Sequence, residues 1–115
     1  MTRFLLVCLG GAVGSGARYL VALAAPAPWA TILVNLAGSF LLGLIMESMP
    51  LSDMRVMLTV GVMGGFTTYS TFNYETTSYL RAGAWAAGAT NVIVTLVACL
   101  AAGIAGMALG RTFAR

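Results

Sequence analysis

The amino-acid sequence predicts an all-α membrane protein of four transmembrane helices, the third of them broken at mid-membrane. Three observations lead there. Of 115 residues, 60% are hydrophobic and 8% are charged, against about 25% charged in average globular chains, so a soluble domain of this size has no solvated outside. Four long apolar runs follow one another, separated by short proline-containing or polar breaks. The third run carries two adjacent glycines and a cluster of hydroxyl residues near its centre.

A spanning helix needs about 20 apolar residues, with a range of about 17–25. The first run goes from about Phe4 to Ala25 and ends in Pro26-Ala27-Pro28. It is expected to be an uncleaved helix, because its apolar character continues through Ala25 beyond the small residues that a signal-peptide cleavage site would use. The second goes from about Trp29 to Met49 and is closed by Pro50, with Ser52 and Asp53 just beyond. The third runs from about Met54 to Leu80, and the fourth from about Ala84 to Leu109, before Arg111 and Arg115. These spans (about 4–25, 29–49, 54–80 and 84–109) make residues 1–115 one transmembrane domain with short loops. Function is therefore expected within the membrane.

Several function classes are excluded. The chain has no histidine, and its two cysteines, Cys8 and Cys99, stand singly in apolar runs. They offer no metal spacing, no disulfide framework and no nucleophile–base pair, so no enzyme is expected. The net charge of +3 comes from scattered arginines with no basic stripe, so no nucleic-acid partner is expected. With four spans, Arg3, Arg55, Arg111 and Arg115 share one side of the membrane, and Arg18 and Arg81 share the other. That weak bias permits insertion both ways up under the positive-inside rule, and is equally compatible with one fixed orientation with the N-terminus inside.

The spans are rich in small residues. Gly10 and Gly14 form a G-x-x-x-G pair in the first, and Gly61 and Gly65 form one in the third. In the fourth, Ala98, Ala102, Gly106 and Gly110 make a row at four-residue spacing. In lipid, close approach of such residues supplies helix packing. Four short helices packed this tightly leave little room for an aqueous path in one protomer, so a dimer or larger oligomer is expected.

The stretch Gly64-Gly65-Phe66-Thr67-Thr68-Tyr69-Ser70-Thr71-Phe72 does not read as continuous helix. Glycine costs about 1 kcal/mol relative to alanine in a helix interior, and Ser and Thr offer the backbone competing local hydrogen bonds. Backbone groups freed at bilayer depth are tolerated only when buried in protein or turned toward an ion or water. Freed carbonyls suit a hard cation, and freed N–H groups suit an anion. Arg18, Asn35 and Glu75 are further polar groups that this topology buries, and intramembrane ionisable residues mark functional sites by default. Asn91, Thr95 and Cys99 are spaced by four and stack on one face of the fourth helix. Tyr69 and Phe72, three apart, share a face if the second half-helix begins near Thr68. Amides, hydroxyls and aromatic edges are positive-ended groups, so the inventory favours a path for a small anion.

The blocks Gly10-Gly11-Ala12-Val13-Gly14 with Arg18-Tyr19, Asn35-Leu36-Ala37-Gly38-Ser39-Phe40-Leu41-Leu42-Gly43, and 61–72 resemble the signature blocks of the Fluc (CrcB-type) fluoride channels. The resemblance covers the first three spans in order, and length and layout agree along the whole chain. It implies an antiparallel dual-topology homodimer in the bacterial plasma (inner) membrane, with two pores that pass fluoride out of the cytoplasm passively. It also implies a central structural sodium ion, held by backbone carbonyls matching Gly64 and Thr67. Asn35 matches the pore asparagine, while Tyr69 and Phe72 match two phenylalanines whose ring edges face fluoride. Thr71, in the same block, goes with them on the fluoride pathway. Arg18 matches a vestibule arginine, and Glu75 an acidic residue after the aromatic pair. Thr95, with Asn91 and Cys99, falls on a polar track of the fourth helix. The partners implied are fluoride, the lipid bilayer and a second copy of the chain. Tyr69 departs from the family's phenylalanine, and its added hydroxyl needs a partner. The alternative class, a small multidrug exporter exchanging protons for cations, needs a membrane-embedded acid in the first helix; the only charged residues there are Arg3 and Arg18.

Overall fold

Proline positions set the first two helices. In the computed structural model, which describes residues 1–114, α1 (Thr2–Ala24) stops at Ala25, whose φ of −135° and ψ of 140° are extended. The ring of Pro26 disfavours helical backbone at the preceding residue. The same clash acts at Met49 before Pro50, with φ −110° and ψ 136°, and ends α2 (Trp29–Ser48). The Ala27–Pro28 peptide bond is cis. Arg115 lies outside the described residues.

Beyond Pro50, Ser52 caps the next helix by accepting from Arg55 N–H at 3.2 Å. This element, α3 (residues 53–66), is α-helical over Asp53–Val56, π-helical over Met57–Met63 and α-helical again over Gly64–Phe66. Thr67 and Thr68 are extended. The helix resumes as α4 (Tyr69–Arg81). A tight turn through Gly83, at φ 74°, leads to α5 (Trp85–Phe113). That backbone conformation costs glycine nothing and strains other residues.

Helices α1, α2 and α5 are each long and apolar enough to cross a membrane. The 13 residues of α4 reach only about 20 Å at about 1.5 Å per residue, short of an about 30 Å hydrocarbon core. The expected third span of 54–80 is thus two short helices in series. The glycines expected to weaken it, Gly64 and Gly65, stay helical, and the interruption falls on the two threonines that follow. The fourth helix runs past the expected Leu109 to Phe113.

The small-residue pairs explain the packing. Helix α1 lies on α3, and α2 lies on α5. A methyl group on Gly10 would sit 2.7 Å from Met57 C=O, one on Gly61 would sit 2.8 Å from Val7 C=O, and one on Gly65 would sit 2.5 Å from Gly11 C=O. The two G-x-x-x-G pairs therefore face each other at backbone contact. On the other side, Gly106 meets Phe40 C=O and Gly110 approaches Leu44 C=O, so the α5 row seats on α2. Two ion pairs close one end of the bundle: Arg3 with Asp53 at 2.7 Å, and Arg111 with Glu47 at 3.2 Å.

Candidate functional site

The break between α3 and α4 leaves backbone groups to be satisfied, and side chains from two other helices reach them. An unbroken helix would send Thr68 N–H to Gly64 C=O. Here it donates to Asn35 Oδ1 at 2.7 Å, and Asn35 Nδ2 donates to Thr68 C=O at 2.9 Å. The amide of Asn35 thus pairs with both polar groups of one residue, as a neighbouring peptide would. The second half-helix is capped from within. Thr68 Oγ1 accepts from Thr71 N–H at 3.2 Å and lies 3.0 Å from Thr71 Oγ1. A side-chain oxygen accepting from a first-turn N–H is the usual way a helix start is satisfied. Gly64 and Thr67 carbonyls consequently lose their usual helical donors. Arg18 Nη1 lies 3.5 Å from Thr67 C=O, which leaves that oxygen a free lone pair.

Two cavities adjoin the break. The larger, about 420 Å³, lies against Asn35, Gly64, Thr67, Tyr69, Phe72 and Thr95, with Cys99 also on its wall. The smaller, about 280 Å³, is lined by Arg18, Ser15, Thr31, Thr68 and Thr71. Thr68, clamped by Asn35, belongs to both walls. The structure therefore gathers six of the expected positions around one cavity and puts Arg18 and Thr71 on the other. Tyr69 is 76% exposed while Phe72 is 8% exposed. Their ring centroids are 5.7 Å apart at 53°, within the separation of tilted aromatic pairs.

Glu75 lines neither cavity. Its Oε1 accepts from Thr31 Oγ1 at 2.7 Å, joining α4 to α2, and its Oε2 is buried without a partner among the described residues. Thr95 Oγ1 is likewise buried and unpartnered, on the wall of the larger cavity. Asn91, stacked with Thr95 in sequence, turns instead to α4 and donates to Thr76 Oγ1 at 3.0 Å. Cys8 is exposed and Cys99 half-buried, both as free thiols.

Thr31 and Thr76 escaped the sequence reading. Thr31 stands one turn before Asn35 on α2, and Thr76 one turn after Phe72 on α4. That i, i+4 spacing beside a polar or aromatic site residue was the available signal.

A family model described as "CrcB-like protein, Camphor Resistance (CrcB)" matches residues 5–107. A protein of Anaeromyxobacter dehalogenans named fluoride-specific ion channel FluC is 50% identical, with 99% of each chain covered. Proteins of the same name from Sorangium cellulosum and Geobacter sulfurreducens are 44% and 43% identical, covering 96% of this chain and 96% and 98% of their own. Relatives this similar from end to end, and a family match reaching from α1 into α5, make this chain a multi-pass membrane protein of the CrcB family.

Proposed function

We propose that this chain is a fluoride-selective channel that lets fluoride leave the cytoplasm passively, working as an antiparallel homodimer with two pores. One observation carries the proposal: the α3–α4 break, its backbone taken over by Asn35, borders a cavity with Phe72, Tyr69 and Thr95 on its walls. The relatives named as fluoride channels supply the identity of the ion. A small anion crosses only where protein donors replace its hydration shell. The unpartnered Thr95 hydroxyl and the positive ring edge of Phe72 are donors of that kind. Helices α3 and α4 in series are long enough for one bilayer crossing, and a break between two halves of similar length supports a mid-membrane position for it. Exposed Tyr69 on the cavity wall is where the second copy would close the path.

Fluoride is taken up as its neutral acid from an acidic outside and trapped inside as the anion. A channel with no coupled ion suffices for its release. Liposomes holding the purified protein and fluoride test this with a fluoride electrode after a potassium ionophore is added. Rapid fluoride efflux with negligible chloride efflux is expected. No efflux from intact, folded dimer overturns the proposal. Reporters fused to both termini test dual topology, each being found on both sides of the membrane.

The released carbonyls of Gly64 and Thr67 fit a hard monovalent cation, since oxygen donors are what such ions take. Two from each copy would clasp one sodium ion at the dimer centre, where it would hold the protomers together. Melting of the dimer is expected to fall in sodium-free buffer relative to sodium buffer. Unchanged melting after exhaustive exchange counts against the site. The hydroxyl of Tyr69 is expected to be dispensable, so Tyr69→Phe retains efflux within about threefold of the original, a change of under 1 kcal/mol. A loss of orders of magnitude makes the hydroxyl part of the path.

A further inference from the structure

Helix α4 carries both aromatic residues of the candidate path, and its side-chain ties to other helices are the Thr31–Glu75 bond to α2 and a bond from Asn91 of α5. It docks chiefly on α5 and only lightly on α2. Along its α5 face runs a chain of two hydrogen bonds. Asn91 Nδ2 donates to Thr76 Oγ1 at 3.0 Å, and Thr76 Oγ1 donates to Phe72 C=O at 2.8 Å. All three residues are buried, with Asn91 4% exposed and both Thr76 and Phe72 8% exposed. The hydroxyl has one proton. Because that proton goes to Phe72 C=O, the group facing Thr76 must be the donor end of the Asn91 amide. The direction of the chain is thereby fixed, from α5 through Thr76 to the backbone of Phe72. Asn91 is absent from the walls of both cavities at the break.

We infer that Asn91 is a positioning residue: through the Thr76 hydroxyl it holds Phe72, and hence the aromatic wall of the path, in the register that makes the path selective for fluoride over chloride. The inference rests on the channel reading above and adds to it a residue off the walls of both cavities. A lone Thr hydroxyl bonded to its own i−4 carbonyl can swing off to other partners. A buried amide bonded to that hydroxyl from another helix holds it still, as supporting residues hold a site's ring in one rotamer. Without the amide, Phe72 carries a carbonyl shared with a mobile hydroxyl, and α4 loses a directional tie to α5.

The test uses the full-length protein, with 4-fluorophenylalanine placed at position 72 for 19F NMR and with liposome efflux of fluoride and chloride. In the original protein one narrow 19F resonance is expected. Asn91→Ala and Thr76→Val are each expected to shift or split it, to slow fluoride efflux about tenfold, the effect of one buried hydrogen bond lost, and to raise the chloride-to-fluoride ratio. The double variant is expected to be no worse than the worse single one, and Thr76→Ser, which keeps the hydroxyl, to restore resonance and ratio. Asn91→Leu, of similar volume and without a donor, replaces Asn91→Ala where that variant does not fold. A ratio unchanged in Asn91→Ala overturns the role, as do losses that multiply in the double variant. An original protein that passes no fluoride overturns the channel reading, and the role with it.

Discussion

Asn35→Asp is expected to cut fluoride efflux by two orders of magnitude or more while the protein stays folded. The substitution keeps shape and removes one function of the side chain. Aspartate still accepts from Thr68 N–H, as Oδ1 does now at 2.7 Å. It has no donor for Thr68 C=O, where Nδ2 now stands at 2.9 Å. A carboxylate oxygen and a carbonyl oxygen would then face each other, costing about 1–3 kcal/mol for the orphaned acceptor alone. The new charge also stands on the wall of the cavity proposed to carry an anion, where little water screens it. The glycine seams that pack α1 on α3 and α2 on α5 are unchanged by the substitution, so the bundle keeps its main packing. Liposome efflux, with gel filtration of the purified variant to verify assembly, measures this. Undiminished fluoride efflux from Asn35→Asp would remove Asn35 from the path.

Gly106→Val is expected to have the largest effect on stability. A methyl group at Gly106 would land on Phe40 C=O and lie 3.1 Å from Leu44 N. Backbone, unlike a side-chain tip, has no rotamer to change. Helices α2 and α5 must separate, and the neighbouring contacts go with them, including Gly43 against Gly103 C=O and Gly110 against Leu44 C=O. Overpacking ordinarily costs about 1–3 kcal/mol and occasionally more. A conflict with backbone along a whole seam belongs at the upper end, about 3 kcal/mol or beyond. Loss of the monodisperse peak in detergent, or a melting point lowered by many degrees, is the expected result. Gly16→Ala is the control: its new methyl group meets nothing within 4 Å, and the helix gains up to about 1 kcal/mol from replacing glycine. If both variants behave alike, small-residue packing does not hold this bundle together.

Legibility differed from element to element for physical reasons. Helix ends at Ala24 and Ser48 were readable because proline restricts the residue before it, a local effect. The small-residue pairs were readable as packing seams because spacing by four puts them on one face. Which seam meets which was not readable: Gly10 and Gly14 could have faced any neighbour. The π-helical stretch Met57–Met63 gave no signal, since its apolar residues surround the helix and periodicity cannot report a wider coil. The glycines at 64 and 65 misled in detail. They remain helical because Gly65 fits against Gly11 C=O of α1, and tertiary contact outweighs a propensity cost of about 1 kcal/mol. Asn91 was grouped with Thr95 on one face, correctly for backbone geometry, yet its amide reaches α4 through a contact that sequence spacing does not encode.

By itself the sequence determined that this chain lives in a membrane, how many apolar runs it has, and that its third run cannot stay one helix. Those are matters of composition, proline, glycine and hydroxyl placement, all acting within a few residues. Only the tertiary structure decided that the interruption sits on Thr67 and Thr68, that Asn35 takes over both backbone groups of Thr68, and that Asn91 reaches Phe72 through Thr76. The satisfaction of a freed N–H or C=O is a matter of distance in space, and residues 33 positions apart in the chain come within 3 Å only when the helices between them have packed.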